Sequence, residues 1–432
     1  MDDAGLDDTA LDEIRAARQE LDEVIAEIRT VPGYDQFLAA PVFEDVAAAA
    51  RDQSLVYVAA ADPGGLALVV RGDNVVHVPL DGLTADAVRG RVTSYLQPYA
   101  AFRADQEAGL AGWRAALDDI TRWLWDVAVG PVIEEIQPAP AIYLIAGGLL
   151  GLLPLHAAWT EDATAPSGRR YALDATTISY VPNARSLTAA RDIAAQSAVG
   201  KLVAVVDPAR ATPIPPLPLS PVEAQAVAAG FEGAAELLPG PAATVGEVEA
   251  ALQRADVAHL ACHGFADLAT PLDSGLLLAG RGVLRLRDIL ALRLRLRLAV
   301  LSACETSIPG TELPDEVVAL PTGLLQAGVA GIVASMWAVP DLATAMLMTE
   351  FYRRWRWERL APATALRQSQ QWLRDTTNQD KRAAYEDALS VGAGWLPPET
   401  GEAFLDVLAY REPDDRDEQE LEAWAAFAHV GV

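Results

Sequence analysis

The chain has 432 residues, 51% of them hydrophobic, and a formal net charge of −27 at pH 7. This length exceeds one ordinary core, and the apolar content rules out wholesale disorder. With only two lysines the chain lacks the clustered cations that bind a phosphate backbone, so we expect no nucleic-acid partner. No apolar run reaches the roughly 18 residues of a membrane span. The acidic amino terminus lacks the pattern of a signal peptide. We therefore expect a cytoplasmic protein without membrane contact.

The first third of the chain, residues 1–135, predicts an α+β region built around an antiparallel meander. Apolar residues at helical spacing predict a helix over 6–30 and a second over 43–51. Three β-prone runs separated by Gly-containing turns follow, at 54–58, 66–70 and 75–80. Two further helices are predicted over 84–95 and 102–128, the second with core-facing tryptophans at 113, 123 and 125.

From residue 136 to 432 the pattern changes to short β-like runs that alternate with helices. This alternation predicts an α/β/α sandwich with a mostly parallel central sheet. Asp341 is interpreted as a helix cap, the acidic piece 412–422 as a solvated loop or helix face, and 423–431 as a closing strand. The alternating Arg/Leu run 285–297 predicts a half-exposed strand, with a docking edge or a cleavage site as the alternatives.

Two apolar runs end abruptly at residues that can do chemistry. Val257 to Ala261 leads into Cys262, His263 and Gly264, and Leu298 to Leu301 leads into Cys304, which lies 41 residues after His263. If the runs are parallel neighbours, both tips lie at one carboxyl edge, where open α/β sheets place their sites. His263 would then serve as general base and Cys304 as nucleophile, with the backbone N–H groups of Gly264 and Cys304 as oxyanion donors.

The competing interpretation is structural. A cysteine at a strand end is most often a small buried hydrophobe, and His-Gly pairs are common. Cys262 is expected to point away from His263, because strand neighbours face opposite sides. Two cysteines are too few for a disulfide scaffold or a Cys-rich zinc site, and we expect neither a metal nor a cofactor.

About two thirds of the chain carries motifs in the order of a known family. These motifs are Leu144 to His156, Ile178 to Leu187, His259 to Gly264, Ser274 to Leu278, Leu301 to Thr306, Ala327 to Asp341, Phe351-Tyr352, Ala365 to Arg367 and Trp424 to Phe427. They resemble the CHAT family, caspase-like cysteine peptidases of clan CD that are also related to separase.

The resemblance implies a caspase–hemoglobinase fold, a His263–Cys304 dyad and endopeptidase activity on a protein substrate. Family members in bacteria often serve in antiphage defence or programmed cell death. The resemblance therefore also implies a partner such as a gasdermin or another effector as substrate, and activation by a sensor protein or signal. Function belongs to a site and its partners, so this last step is analogy.

The sequence departs from the family where the first core strand ends. The family often has Pro-Asp-Gly there, whereas this chain reads Ala146-Gly147-Gly148, so an acid associated with basic-residue pockets is absent. Other acidic residues that could wall the pocket are Asp267, Asp315 and Glu316, with solvated loop charges as the alternative. Trp337 is interpreted either as a cleft residue or as a core residue.

Two rival functions remain open. One is a catalytically silent pseudoprotease or scaffold that binds partners through the same fold, and the intact dyad argues against it. The other is a Cys–His acyl transferase that passes the acyl group to an amine.

Overall fold

The computed structural model describes residues 8–32, 42–211, 214–267, 269–302 and 319–432. The chain forms two compact units, Met1–Val46 and Ala47–Val432. Within the described ranges, every helix is too short or too polar to cross a bilayer. The division at residues 135 and 136 stays a prediction.

The helices are α1 (Asp8–Arg29), α2 (Phe43–Ala49), α3 (Ala85–Ala104), α4 (Gln106–Leu124), α5 (Gly130–Ile136), α6 (Ala172–Ala175), α7 (Ala184–Gln196), α8 (Ser220–Ala229), α9 (Val245–Leu252), α10 (Leu286–Ala291), α11 (Leu320–Ala327), α12 (Asp341–Tyr352), α13 (Pro362–Asp375), α14 (Asn378–Ser390), α15 (Pro398–Leu408) and α16 (Leu421–Trp424). Two π-helical turns, Trp125–Val129 and Arg353–Trp357, extend α4 and α12.

The strands are β1 (Ser54–Ala59), β2 (Gly65–Arg71), β3 (Asn74–Leu80), β4 (Ala141–Ala146), β5 (Trp159–Glu161), β6 (Arg169–Tyr171), β7 (Thr177–Tyr180), β8 (Leu202–Val206), β9 (Ala235–Pro239), β10 (Val257–Ala261), β11 (His263–Phe265), β12 (Gly275–Leu277), β13 (Val283–Arg285), β14 (Leu298–Leu301), β15 (Gly331–Ser335) and β16 (Phe427–Gly431).

Side-chain caps fix several helix starts. Thr84 accepts a hydrogen bond from the N–H of Ala87 at the start of α3, and Asp105 caps α4 through Ala108. Such caps satisfy backbone donors that the first helical turn leaves unpaired. The predicted boundaries at 95 and 102 are wrong, because α3 continues to Ala104 and α4 begins at Gln106, after the cap residue Asp105.

One 11-stranded sheet organises the larger unit, in the order β3-β2-β1-β4-β7-β16-β15-β14-β10-β8-β9. The predicted meander β1–β2–β3 is confirmed as antiparallel, and β1 continues into the same sheet through parallel pairing with β4. Most other neighbours are parallel, which confirms the predicted α/β fold with a mostly parallel sheet. The closing strand β16 is antiparallel to β15 and meets β7 at the pair Val430–Tyr180.

Both faces of the sheet are covered at its inner strands β8 and β14, where every residue is buried, which explains why these strands are apolar without interruption. Along β14, Leu298 and Val300 belong to one buried cluster and Ala299 and Leu301 to the other. The alternation follows from successive strand residues facing opposite sides. Burying a side chain such as Leu301 contributes about 1.5–3 kcal/mol.

Two sequence interpretations are corrected by the structure. The run 285–297 is not one strand, because α10 occupies Leu286–Ala291. The alternation is present only after this helix, where Leu294 and Leu296 are buried and Arg293 and Arg295 are exposed. The acidic piece 412–422 is not simply solvated. Its Glu418 is buried against Lys381 and Arg411, and its Glu422 is buried against an arginine of α4.

Candidate functional site

The two apolar runs that end in His263 and Cys304 lie side by side. Strands β10 and β14 are parallel neighbours, with Val257 opposite Leu298 and His259 opposite Val300. Both strands therefore end at the same edge of the sheet, as the sequence predicted. Ser302 follows β14 directly at this edge. Cys304, Asp315 and Glu316 lie within 303–318, outside the described residues, so their proposed roles stay predictions.

His263 is half-buried, and one backbone carbonyl orients its ring. Its Nε2 lies 2.8 Å from the carbonyl oxygen of Pro215, in the Pro-rich segment before α8. A carbonyl oxygen only accepts hydrogen bonds, so Nε2 carries the proton in this contact. In the neutral ring, Nδ1 is then the nitrogen that can accept a proton. The sequence pattern does not mark this segment as part of a site, because a residue's type does not indicate what its backbone carbonyl contacts.

Cys262 and Gly264 flank His263 in different environments. Cys262 is 1% exposed and belongs to the apolar cluster on one face of the sheet, as expected from strand alternation. Gly264 is buried in β11, opposite Leu276 of β12, in a three-stranded antiparallel sheet. This small sheet holds the backbone beside His263 in an extended conformation. Whether the Gly264 N–H serves as an oxyanion donor stays a prediction.

A cleft of about 420 Å³, open to solvent, lies at this edge. Its wall includes His263 and Ser302 from the strand tips, Ser335 from the end of β15, Ser220 and Glu223 from α8, and Asp341 from α12. The carboxyl ends of β10, β14 and β15 thus converge with the amino-terminal turns of two helices. An extended chain lying across the strand tips could place one side chain here.

Asp341 links the two helices of the cleft. It is the first residue of α12, and Pro340 holds the cap position, so the predicted capping role is wrong. Its carboxylate instead accepts a hydrogen bond from the N–H of Leu219, 2.8 Å away, just before α8. Burial raises the pKa of Asp341, and the nearby Glu223 and Asp207 raise it further, whereas Leu219 and His263 lower it.

A buried polar chain lies behind the cleft. Glu223 is 2% exposed, and its Oε1 is 2.9 Å from Nε2 of His259, a fully buried residue of β10. The other ring nitrogen of His259 lies 3.3 Å from the hydroxyl of Tyr352 in α12. The chain Glu223–His259–Tyr352 therefore joins α8, β10 and α12. Glu223 could not be recognised from the sequence, because a single Glu in a helical segment gives no signal of burial.

The described acidic and aromatic candidates have structural contacts. Asp267 accepts hydrogen bonds from the N–H groups of Ala269 and Thr270, which lower its pKa and shape its own turn. Trp337 is fully buried; its indole N–H donates to the carbonyl of Glu422 at 3.0 Å, and its ring packs on a tryptophan of α4. Of its two interpretations, the structure shows the core position. Substrate binding by Asp267 stays a prediction.

The segment with the missing acid, Ala146-Gly147-Gly148, lies outside this cleft. Ala146, the last residue of β4, lines a neighbouring pocket together with Pro182, just after β7, and Met336, just after β15. The carboxyl ends of β4 and β7 therefore lie at the same edge of the sheet as that of β15. The departure noted in the sequence concerns this neighbouring pocket, because the described wall of the His263 cleft does not include Ala146.

Comparison with known proteins agrees with this architecture. The sequence model of the CHAT domain matches residues 118–432. No curated protein matches the sequence.

Among solved structures, the separase–securin complex of Saccharomyces cerevisiae is similar with a TM-score of 0.54 at 9% identity, over 90% of this chain and 30% of that chain. This chain therefore spans under a third of the separase chain. RgpB (gingipain R) of Porphyromonas gingivalis is similar with a TM-score of 0.35 at 10% identity, over 73% of this chain and 68% of that chain. The likeness to separase shows a caspase-like fold.

Proposed function

The chain belongs to the CHAT domain family, and on that premise we propose that it is a cysteine endopeptidase that cleaves a protein partner. The observation that carries the proposal is the contact between His263 and the Pro215 carbonyl. A base that is itself oriented by a third group is the arrangement that activates a nucleophile in covalent catalysis. The parallel register of β10 and β14 supports it, because that register directs the segments of His263 and Cys304 to one edge.

The proposed reaction has two stages. Cys304 gives its thiol proton to Nδ1 of His263, and the thiolate attacks the substrate carbonyl carbon. The oxyanion that forms accepts hydrogen bonds from the N–H groups of Gly264 and Cys304. The C–N bond then breaks as His263 returns the proton to the leaving amine, which leaves a thioester. In the second stage His263 takes a proton from water, whose oxygen attacks the thioester and releases the acid and the thiol.

We place this activity in bacterial defence or programmed cell death, with a gasdermin or another effector as substrate, in the cytoplasm. A sensor protein or signal would activate the enzyme. The separase neighbour was solved with securin bound to it, and control by a bound protein is the behaviour we propose here too.

Labelling with a peptide acyloxymethyl ketone, a thiol-directed inhibitor, tests the dyad. We expect wild type and Cys262→Ser to be labelled at equal rates and Cys304→Ala not to be labelled. His263→Ala should react at least about 100-fold more slowly than wild type, since a positioned base contributes about 10²–10⁴-fold to the rate. Labelling that survives in Cys304→Ala, or equal rates in His263→Ala and wild type, would refute the dyad. A folded wild type that never reacts would favour the non-catalytic scaffold.

A further inference from the structure

Helix α1 carries its apolar residues at the spacing of a coiled coil. From residue 11 to residue 28 the series advances by three and four residues in turn, which are the a and d positions of the heptad notation. Its members are Leu11, Ile14, Arg18, Leu21, Ile25 and Ile28, with the arginine as the single polar residue. A 3.5-residue repeat keeps these positions on one stripe of the helix over about five turns. A stripe of this kind is what a helix presents to a second helix.

The described part of this stripe is open to solvent. Leu21 is 55% exposed, and Val24, three residues further along at a g position, is 47% exposed. Ile25 and Ile28 are only half-buried, and no residue from 16 to 30 reaches full burial in the described structure. Most helical stability in proteins comes from packing an apolar face of this kind and not from helix propensity. The stripe of α1 therefore has the composition of an interface.

The charges beside the stripe indicate what covers it. At the e positions the sign of the charge alternates along the helix, through Asp8, Arg15, Asp22 and Arg29. When two identical helices pair antiparallel, each a position faces a d position of the other helix, and e faces e. If Leu11 is aligned with Ile28 of the second copy, Arg15 lies opposite Asp22, and Asp8 lies opposite Arg29. Symmetry repeats both contacts, so all four pairs at the e positions join opposite charges.

The same charges disfavour the other alignments. Sliding the antiparallel pair by one heptad would set Arg15 against Arg29 and Asp22 against its own copy, and like charges across an interface are destabilising. A parallel pair would set Arg18 against its own copy in the seam and leave the e positions facing uncharged g positions. In the first alignment Arg18 faces Leu21 of the second copy, where its aliphatic stem can cover the leucine while the guanidinium reaches solvent.

We propose that α1 is a self-association helix, which binds α1 of a second copy of this chain as an antiparallel pair with Leu11 aligned with Ile28. Small and large side chains also match along the second flank of the seam, where Ala17 lies opposite Val24 of the second copy. The apolar stripe of each chain then gains its cover from the other chain.

Sedimentation velocity of the full-length chain, at concentrations from about 1 to about 100 µM, tests the pair. We expect the wild-type mass to rise with concentration from that of one chain toward that of two. Arg15→Glu and Asp22→Arg each set like charges against each other at two contacts, so each should weaken the dimer at least about tenfold. The double variant Arg15→Glu/Asp22→Arg restores opposite charges and should recover the wild-type dissociation constant to within about threefold.

A mixture of the two single variants extends the test. One chain then offers two acids where the other offers two arginines, so the mixture should form a tighter dimer than either variant forms alone. Glu23→Arg reverses a charge at an f position, on the outer face of α1, and as the matched control should leave the dissociation constant unchanged. Leu21→Ala shortens an exposed side chain of the stripe and should weaken the dimer at least about tenfold, which keeps the test decisive if a charge variant does not fold.

A wild-type chain that stays monomeric up to about 100 µM would overturn the proposal. So would single variants that dimerise as tightly as wild type, or a double variant that dimerises no more tightly than the single ones. The result is separate from that of the peptidase, because α1 belongs to the unit Met1–Val46 and His263 to the unit Ala47–Val432. Cys304→Ala should therefore dimerise as wild type does.

Discussion

Acidification should weaken this fold through His156, a buried histidine remote from the cleft. Its Nε2 donates to the carbonyl of Ala425 at 2.8 Å, and its Nδ1 accepts from the hydroxyl of Tyr180 at 2.9 Å. The ring therefore bridges β7 and the segment before β16 in its neutral form. Burial lowers the pKa of His156 from 6.5 to about 4, although the Ala425 contact partly opposes this.

The stability effect follows from this lowered pKa. Above pH 6.5 the ring is neutral in both the folded and the unfolded state. Between pH 6.5 and about pH 4 the ring is protonated in the unfolded chain but stays neutral in the folded protein, so acidification favours unfolding. The full penalty is about 3 kcal/mol, and at pH 5.5 it has reached about 1.4 kcal/mol. His156→Gln keeps a donor and an acceptor but cannot titrate, so its free energy of unfolding should fall less between pH 7.5 and 5.5, by about 1.4 kcal/mol.

Urea unfolding at the two pH values measures this difference. His77→Gln makes the same substitution on the exposed face of β3 and controls for the loss of a histidine as such. If wild type and His156→Gln lose equal stability between pH 7.5 and 5.5, the neutral bridge between β7 and β16 is wrong.

Two further substitutions test the core and the dyad. Lys381→Ala removes a fully buried cation from Glu418 and should lower the free energy of unfolding by about 3 kcal/mol. This value is at the low end for a broken buried pair, because an arginine still contacts the carboxylate. A shift of the urea midpoint that corresponds to less than about 1 kcal/mol would contradict the prediction. Pro215→Gly should lower kcat with little change in KM, because the carbonyl that orients His263 becomes less fixed. Pro218→Gly, in the same segment, is the matched control, and equal losses in both variants would refute the orienting role.

The features that could be predicted from the sequence are those that depend on the local pattern of apolar and polar residues. The runs 257–261 and 298–301 are apolar except for His259 because both faces of their strands are covered, and each ends where polar residues begin. Their parallel pairing was the condition of the prediction, and the shared edge then followed from the general rule for parallel sheets. The position of Cys262 in the core followed from strand alternation alone.

What the sequence could not predict depends on partners distant in the chain. Glu418 is buried because Lys381, 37 residues earlier, supplies its countercharge. The position of β16 between β7 and β15 depends on partners on both sides, which residues 423–431 do not encode by themselves. Glu223 sits in an ordinary helical pattern, and only the folded structure shows its carboxylate facing the cleft.

The central claim is that this chain cleaves proteins with Cys304. The most direct measurement maps new protein amino termini by mass spectrometry in cells that express wild type or Cys304→Ala under activating conditions. The account predicts a small set of new termini that depend on Cys304 and disappear in His263→Ala. The same termini in wild type and Cys304→Ala would contradict it.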